Sequence, residues 1–428
     1  MKILDINSED FIKGFDEILK RGKMDIDEVS GIVKSILDDI KRDGNSALKR
    51  DIEKFDRWSV GDDSNLEISK ESMRKAYDSL DSKVKDALHL AYSRIEKYHK
   101  NLMPKSWLDF EKDGTLLGQK VTPVERAGLY IPGGKAVYPS SLLMNAIPAI
   151  VAGVEEIIVS TPTPDGEINE LLLSAMYICD ISRAFRVGGA SAIGAMAYGT
   201  QTIPKVDVIT GPGNIFVATA KKLVYGDVNI DMIAGPSEIC VIADESANSK
   251  HIAVDLLSQA EHDEMASSIL ITTSKKFAKE VLESIEVILK ELPREEIARA
   301  SIENRGAVII VNSLKEATEL SNQIAPEHLE IVTKNPMDLL PTIKHAGAIF
   351  LGKYSPEAIG DYIAGPNHTL PTGGTAKFYS PLGVEHFLKK SSIISMSKNG
   401  FENIANECAI IAEIEGLDAH KKSVIIRL

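Results

Sequence analysis

The sequence predicts an α/β protein built on parallel sheets with helices on both faces. From about residue 115 onward, short apolar runs of β type alternate with helical stretches. That rhythm is the one expected of parallel strands joined by crossover helices. Three strand exits also carry glycine-rich turns, placed where such sheets bind ligands. A chain of 428 residues exceeds one compact core, and its strands are too many for one modest sheet, so two α/β units are expected.

Residues 1 to about 110 read as helical and heavily charged. Between Asp25 and Phe55, Val29, Ile32, Val33, Ile36, Leu37 and Ile40 recur at helical spacing, and Met73 to Tyr98 repeats the pattern. Neither run holds a chemical constellation, and His89 and His99 there read as surface or packing residues. Strands are expected at Gly128–Ile131, Ile157–Val159, Ala184–Val187, Val206–Ile209, Ile239–Ile242, Ile269–Ile271, Val308–Val311 and Ala348–Leu351. Helices are expected between them at Ser141–Val151, Glu170–Ile178, Ile215–Leu223, Ala253–Glu261, Phe277–Leu292 and Leu314–Ile324. Residues 378–428 read as a small helical unit, and no internal repeat or low-complexity linker appears.

Composition narrows the function classes. A formal net charge of −13 disfavours a phosphate-backbone partner, whose binding needs a basic surface. Three scattered cysteines, Cys179, Cys240 and Cys408, suggest a reducing compartment without a disulfide framework or thiolate metal cluster. The first residues show neither a basic nor an apolar targeting region, and no apolar stretch is long enough for a bilayer. A cytoplasmic protein without nucleic-acid or membrane partners is expected.

The glycine turns are Tyr130-Ile-Pro-Gly-Gly134, Val187-Gly-Gly-Ala-Ser191 and Thr210-Gly-Pro-Gly-Asn214. Glycine admits a phosphate close to the backbone, and a following helix N-terminus favours negative charge. None completes G-x-G-x-x-G, and the P-loop motif is absent, so each turn reads either as a dinucleotide contact or as a tight turn of the fold.

Four polar clusters follow. In Asp255-Leu-Leu-Ser-Gln-Ala-Glu-His262, Gln259 and His262 stand three apart on one helix face, half of a mixed nitrogen/oxygen metal site or simply a solvated polar face. Glu327 and His328 follow Pro326 and read as an acid/base pair at a helix start, or as that helix start alone. Asp361 and His368 bracket a loop bounded by glycine and proline, where Asp361 either completes a metal shell or stabilises a turn. His345 and His386 have no evident partner. The fourth cluster is Glu415-Gly-Leu-Asp-Ala-His420.

Together with Gly128-Leu-Tyr-Ile-Pro-Gly-Gly134, Ala234-Gly-Pro-Ser-Glu238, Ala325-Pro-Glu-His-Leu329 and the loop 360–374, these motifs resemble the histidinol dehydrogenase family, in order from about 115 to 420. The resemblance implies an NAD-dependent alcohol and aldehyde dehydrogenase that oxidises L-histidinol through L-histidinal to L-histidine, the last steps of histidine biosynthesis. It implies one zinc per subunit on Gln259, His262, Asp361 and His420. It makes His328 the base of the alcohol step and Glu327 the activator of water for the aldehyde step. Ser237, Gln259, His262, His328, Asp361, His368, Glu415 and His420 match substrate-contacting positions, and Tyr130, Ser191 and Asn214 match NAD-contacting ones. At Ser191 the family commonly has glutamine, so the reach to NAD is shorter here.

The implied architecture is an intertwined homodimer with shared sites, two Rossmann-like domains and small helical N- and C-terminal units. Its bounds are 1–25 for the N-terminal helical unit, 26–129 with 238–377 for the first α/β domain, 130–237 for the NAD domain and 378–428 for the C-terminal unit. Two alternatives remain on the sequence: a related zinc and NAD dehydrogenase of another small polar alcohol, such as a sulfonated diol, and a non-catalytic metal-stabilised binding dimer.

Overall fold

In the computed structural model, residues 1–20, 26–133 and 138–428 are described. Asp25, where the first helical run was expected to begin, and Gly134, the end of the first glycine turn, lie outside the described residues. The described chain forms two compact units, Met1–Leu102 with Glu125–Phe387, and Met103–Val124 with Leu388–Leu428.

The larger unit contains two parallel sheets. One has six strands in the order Lys2–Asp5, Ala307–Ile310, Ser267–Thr272, Glu238–Ala243, His328–Val332, Ala348–Leu351. Every neighbouring pair is parallel, with His328 opposite Ile239 and Ser267 opposite Glu238. Successive side chains of a strand point to opposite faces, and both faces are covered. Ile239, Val241, Leu270 and Val308 pack with Leu256, Val281 and Ile285 on one side. Cys240, Ile242, Ile269, Ile271 and Ile309 pack with Phe11, Phe15 and Leu320 on the other. Burial on both faces explains why these strands read as continuous apolar runs rather than alternating ones.

The second sheet has the order Arg183–Phe185, Glu156–Ser160, Arg126–Tyr130, Val208–Thr210, Asn229–Ile230, again parallel throughout. From Arg126–Tyr130 the chain moves first to one side and later to the other, so the order reverses between that strand and Val208–Thr210. A crevice for ligands forms outside the carboxyl ends at such a reversal.

All eight expected strands and all six expected helices of the α/β region are present within a few residues. The helical reading of the two ends is corrected. Lys2–Asp5 is a strand on the edge of the six-stranded sheet, so the first residues are not purely helical. The smaller unit is not purely helical either: Trp107–Phe110, Leu116–Pro123 and Leu388–Ser395 form an antiparallel sheet beside the helices Lys398–Ile414 and Asp418–Ile425. Lys2–Asp5 is short, Trp107–Phe110 and Leu388–Ser395 are mostly exposed, and Leu116–Pro123 has no fully buried residue, so they lack the apolar pattern that marks a buried strand. Among the described residues, no helix is long and apolar enough to cross a membrane.

Candidate active site

Four segments of the larger unit bring their polar side chains together at the amino end of the six-stranded sheet. Glu238 opens the central strand, and His328 opens its neighbour. The expected helix start at Pro326 is therefore a strand entry. Ala325 caps the helix Leu314–Ile324 in the left-handed region, at φ 50° and ψ 62°, and Pro326 cannot continue a helix. His328 and Glu330 interrupt the continuous apolar run that marks the neighbouring strands, so His-Leu-Glu-Ile-Val was not read as one of them.

Glu327 and His328 are buried and fixed by the backbone of Glu238. The Glu238 amide donates to Glu327 Oε2 at 2.8 Å. His328 Nδ1 donates to the Glu238 carbonyl at 3.1 Å, which leaves Nε2 as the nitrogen able to take a proton in the neutral ring. That Nε2 lies 3.3 Å from Asp361 Oδ1.

The helix Ser249–Ala260 is held by its Asn248 cap and by Ser268, whose hydroxyl donates to the Leu256 carbonyl. Its last turn presents Gln259, fully buried, and the chain then turns to the exposed His262. With its amide nitrogen facing Glu357, Gln259 donates to both carboxylate oxygens, 3.2 Å to Oε2 and closer to Oε1. Its own carbonyl oxygen is then the atom left for a cation. Glu357 and Asp361 share the short helix Glu357–Tyr362, and the Glu357 amide donates to Glu330 Oε1 at 2.7 Å. Ligand atoms of His262, Glu357 and Asp361 all lie within 4.8 Å of one another. One imidazole, two carboxylates and an amide oxygen form the mixed set that zinc accepts, and manganese or cobalt tolerate it too.

Burial dominates the electrostatics. It pushes the Glu238 carboxyl up to about 8, with Glu327 adding to the effect. It pushes Glu327 up to about 7 against the pull of His328, and Glu357 up to about 8. Burial works against the charged ring of His328, yet Glu357, Glu327 and Asp361 together raise its value well above the ordinary one. Asp361 is also opposed by burial, but His328 holds it below the usual carboxylate range. Crowded buried carboxyls of this kind are stabilised as anions by a bound cation.

His368 is half-buried beside this cluster, its Nδ1 donating to the Asp361 carbonyl at 2.8 Å. Ser237 immediately precedes Glu238, and its side chain favours the ionised Glu327 carboxyl against the effect of burial. Glu415 and His420 lie on the helical part of the smaller unit, both exposed.

Tyr130, Ser191 and Asn214 line one cavity of about 580 Å³ at the carboxyl ends of the second sheet. The buried Tyr130 hydroxyl accepts from the Gly189 amide at 3.2 Å, and burial pushes its pKa up to about 12. Gly189 opens the helix Gly189–Tyr198 at φ 62°, with open space where a side chain would stand. Gly211, at φ 117°, lies against the Tyr130 carbonyl, where a Cβ would clash. The buried pair Lys221 and Asp231 pins this glycine: Lys221 Nζ donates to its carbonyl, and its amide donates to Asp231, both at 2.9 Å. Asn214 spends its side-chain oxygen on the amides of Phe216 and Val217 at the helix start. Ser191 Oγ donates to Asp51 Oδ2 at 2.5 Å.

The chain matches the family model described as histidinol dehydrogenase over residues 19–428. It is 65% identical over 414 residues to the histidinol dehydrogenase of Sulfurimonas denitrificans, covering 97% of this chain and 96% of that protein. It is 59% identical to that of Wolinella succinogenes, covering 100% and 99%. The crystal structure of histidinol dehydrogenase from Elizabethkingia anophelis superposes with a TM-score of 0.94 at 36% identity, over 100% of this chain and 98% of that one. The chain belongs to the histidinol dehydrogenase family.

Family membership makes it an NAD-dependent oxidoreductase of histidine biosynthesis. Of the residues expected to act in this histidinol dehydrogenase site, Ser237, Gln259, His262, Glu327, His328, Asp361 and His368 converge in the larger unit. Three partners were missed in the sequence: Glu357, Glu238 and Asp51. Glu357 had a usable signal, since Glu357-Ala-Ile-Gly-Asp361 puts two carboxylates four apart on one helix face. Glu238 and Asp51 had none, because a strand start and a helix surface are ordinary places for an acid.

Proposed function

We propose that this chain oxidises L-histidinol to L-histidine by two successive NAD-dependent steps at the Glu327–His328 cluster, with zinc as the site's metal. The observation that carries the reading is the imidazole of His328. It is fixed through Nδ1, and its Nε2 points toward the metal-competent carboxylate Asp361. Gln259, His262 and Asp361 would hold zinc, with His420 as the fourth ligand and Glu357 orienting Gln259. When bound, zinc supplies positive charge that orients the imidazole and amino nitrogens of the substrate.

The chain's own groups divide the chemistry. Neutral His328 takes the alcohol proton at Nε2 as the first hydride leaves for NAD. Glu327, buried and raised in pKa, is poised to take a proton from the water that adds to the aldehyde. The hydrate would then give its C–H hydride to a second NAD and lose both hydroxyl protons, through the cluster's bases to solvent, becoming the carboxylate. Ser237, His368 and Glu415 contact substrate, and Tyr130, Ser191 and Asn214 contact NAD. His420 and Glu415 come from the second copy of an intertwined homodimer. The division into domains at 26–129 with 238–377, and 130–237, belongs to the same reading.

The test is NADH formation from L-histidinol by purified protein. Activity lost to a chelator and restored by zinc supports the reading. A folded, zinc-loaded protein that forms no NADH from L-histidinol overturns it.

A further inference from the structure

Asp51 stands in the cofactor cavity without a role in the site described so far. It lies on the helix Asn45–Phe55, which reaches across from the first part of the chain to face the glycine turns of the second sheet. Its carboxylate is half-buried and tied to Ser191, two residues beyond Gly189. The same cavity is lined by Gly188 and Gly189, where the start of the helix Gly189–Tyr198 offers backbone amides to a phosphate. It is also lined by Ile32, Ile36, Ile52 and Phe55, an apolar wall of the kind a base ring lies against. One cavity thus joins a phosphate cradle, an apolar wall and the Asp51 carboxylate, the three surfaces that a dinucleotide's phosphate, base and ribose require.

The other acid in the cavity is already engaged. Asp56 accepts from the Thr163 amide through its carboxylate and from the Asp165 amide through its carbonyl, so it ties loops together. The cation lining the cavity, Lys54, is exposed, with its ammonium over the Phe55 ring.

We infer that Asp51 selects NAD over NADP, its carboxylate accepting a hydrogen bond from the adenosine ribose and repelling a 2′-phosphate. This rests on the cavity being the NAD site. The physical terms are general. A ribose hydroxyl gains a charge-assisted hydrogen bond to a carboxylate. A phosphate dianion at the same place meets a like charge in a partly desolvated site. Ser191 supports the acid by donating to one of its oxygens. A shorter residue than glutamine at position 191 thus works through Asp51 as well as on the cofactor itself.

The test is equilibrium binding of NADH and NADPH to the intact zinc-loaded protein, followed by nucleotide fluorescence. The wild type should bind NADH more tightly. Asp51→Asn should lower the ratio of the NADPH to the NADH dissociation constant by at least about tenfold. Ser191→Ala removes the hydrogen bond but keeps the carboxylate, and should keep the preference. Ile32→Trp, exposed at the cavity wall, should shift both affinities by a similar factor. If Asp51→Asn leaves the ratio unchanged while Ile32→Trp shifts both affinities, the cavity holds NAD but Asp51 does not select it, and the inference is overturned. If neither variant moves either affinity, the cavity is not the cofactor site, and both readings fall together.

Discussion

His328 Nε2 lies 3.3 Å from Asp361 Oδ1, so one carboxylate is shared between the buried base and the metal-competent cluster. The pairing has a chemical consequence. A cation drawn to Asp361 competes with the imidazole for the same negative charge, and a weaker pull on His328 favours its neutral form. Neutral imidazole is the form that can take a proton from an alcohol. On the proposed roles of His328 and Asp361, occupation of the metal site would be coupled to the readiness of the base.

Replacing His262 with Asn should remove the metal and the activity together while sparing the fold, because His262 is exposed and outside the apolar core. Metal content by atomic absorption and helicity by circular dichroism check this. A variant that keeps stoichiometric zinc would show that His262 is not a ligand.

Glu327→Gln should retain zinc and mainly slow the aldehyde-to-acid step. The amide still accepts from the Glu238 backbone but cannot take a proton from water. Loss of a positioned general base typically costs about 10²–10⁴-fold. Supplied L-histidinal gives a direct reading, and oxidation at the wild-type rate would remove Glu327 from that role.

Glu357→Gln should weaken zinc binding by roughly 10–100-fold, because Glu357 fixes the amide of Gln259 and belongs to the cluster of ligand atoms. Competition with a chromophoric chelator measures the affinity. An unchanged constant would reduce Glu357 to a packing residue.

Much of the α/β region was legible because its strands are buried on both faces and its helices repeat at 3.6-residue spacing. The strand His328–Val332 was not, since the site inserts two ionisable side chains into it. The same demand that makes a buried acid and base useful breaks the continuous apolar run by which the neighbouring strands were read. Gln259 and His262 were legible as a pair by their spacing, although the helix ends at Ala260 and His262 follows in the turn rather than on the same helix face. Glu238 was not, because it reaches Glu327 only by strand pairing across 89 residues of sequence. Asp51 meets Ser191 across 140 residues, a contact that no local spacing encodes.

Stability without metal should fall as pH rises from about 6 to 9. Glu238, Glu327 and Glu357 have folded values raised by burial to about 8, 7 and 8, above an unfolded carboxyl near 4.3. A raised folded value contributes stability that is fully present below the unfolded pKa and lost as pH rises through the folded one. His328, also raised, acts with the same sign above its unfolded value near 6.5. Differential scanning calorimetry of chelator-treated protein should show a lower Tm at pH 9 than at pH 6, with a flatter dependence once zinc is restored. A metal-free Tm that rises over this range would mean that the carboxyls are not strained by burial.

The most direct measurement is the number of NADH formed per L-histidinol consumed, with purified protein, added zinc and excess NAD. Two NADH per substrate, abolished by a chelator and restored by zinc, is the expected result and requires both oxidations at one site. One NADH per substrate, with free aldehyde released, would contradict the role given to Glu327 and describe a simple alcohol dehydrogenase instead.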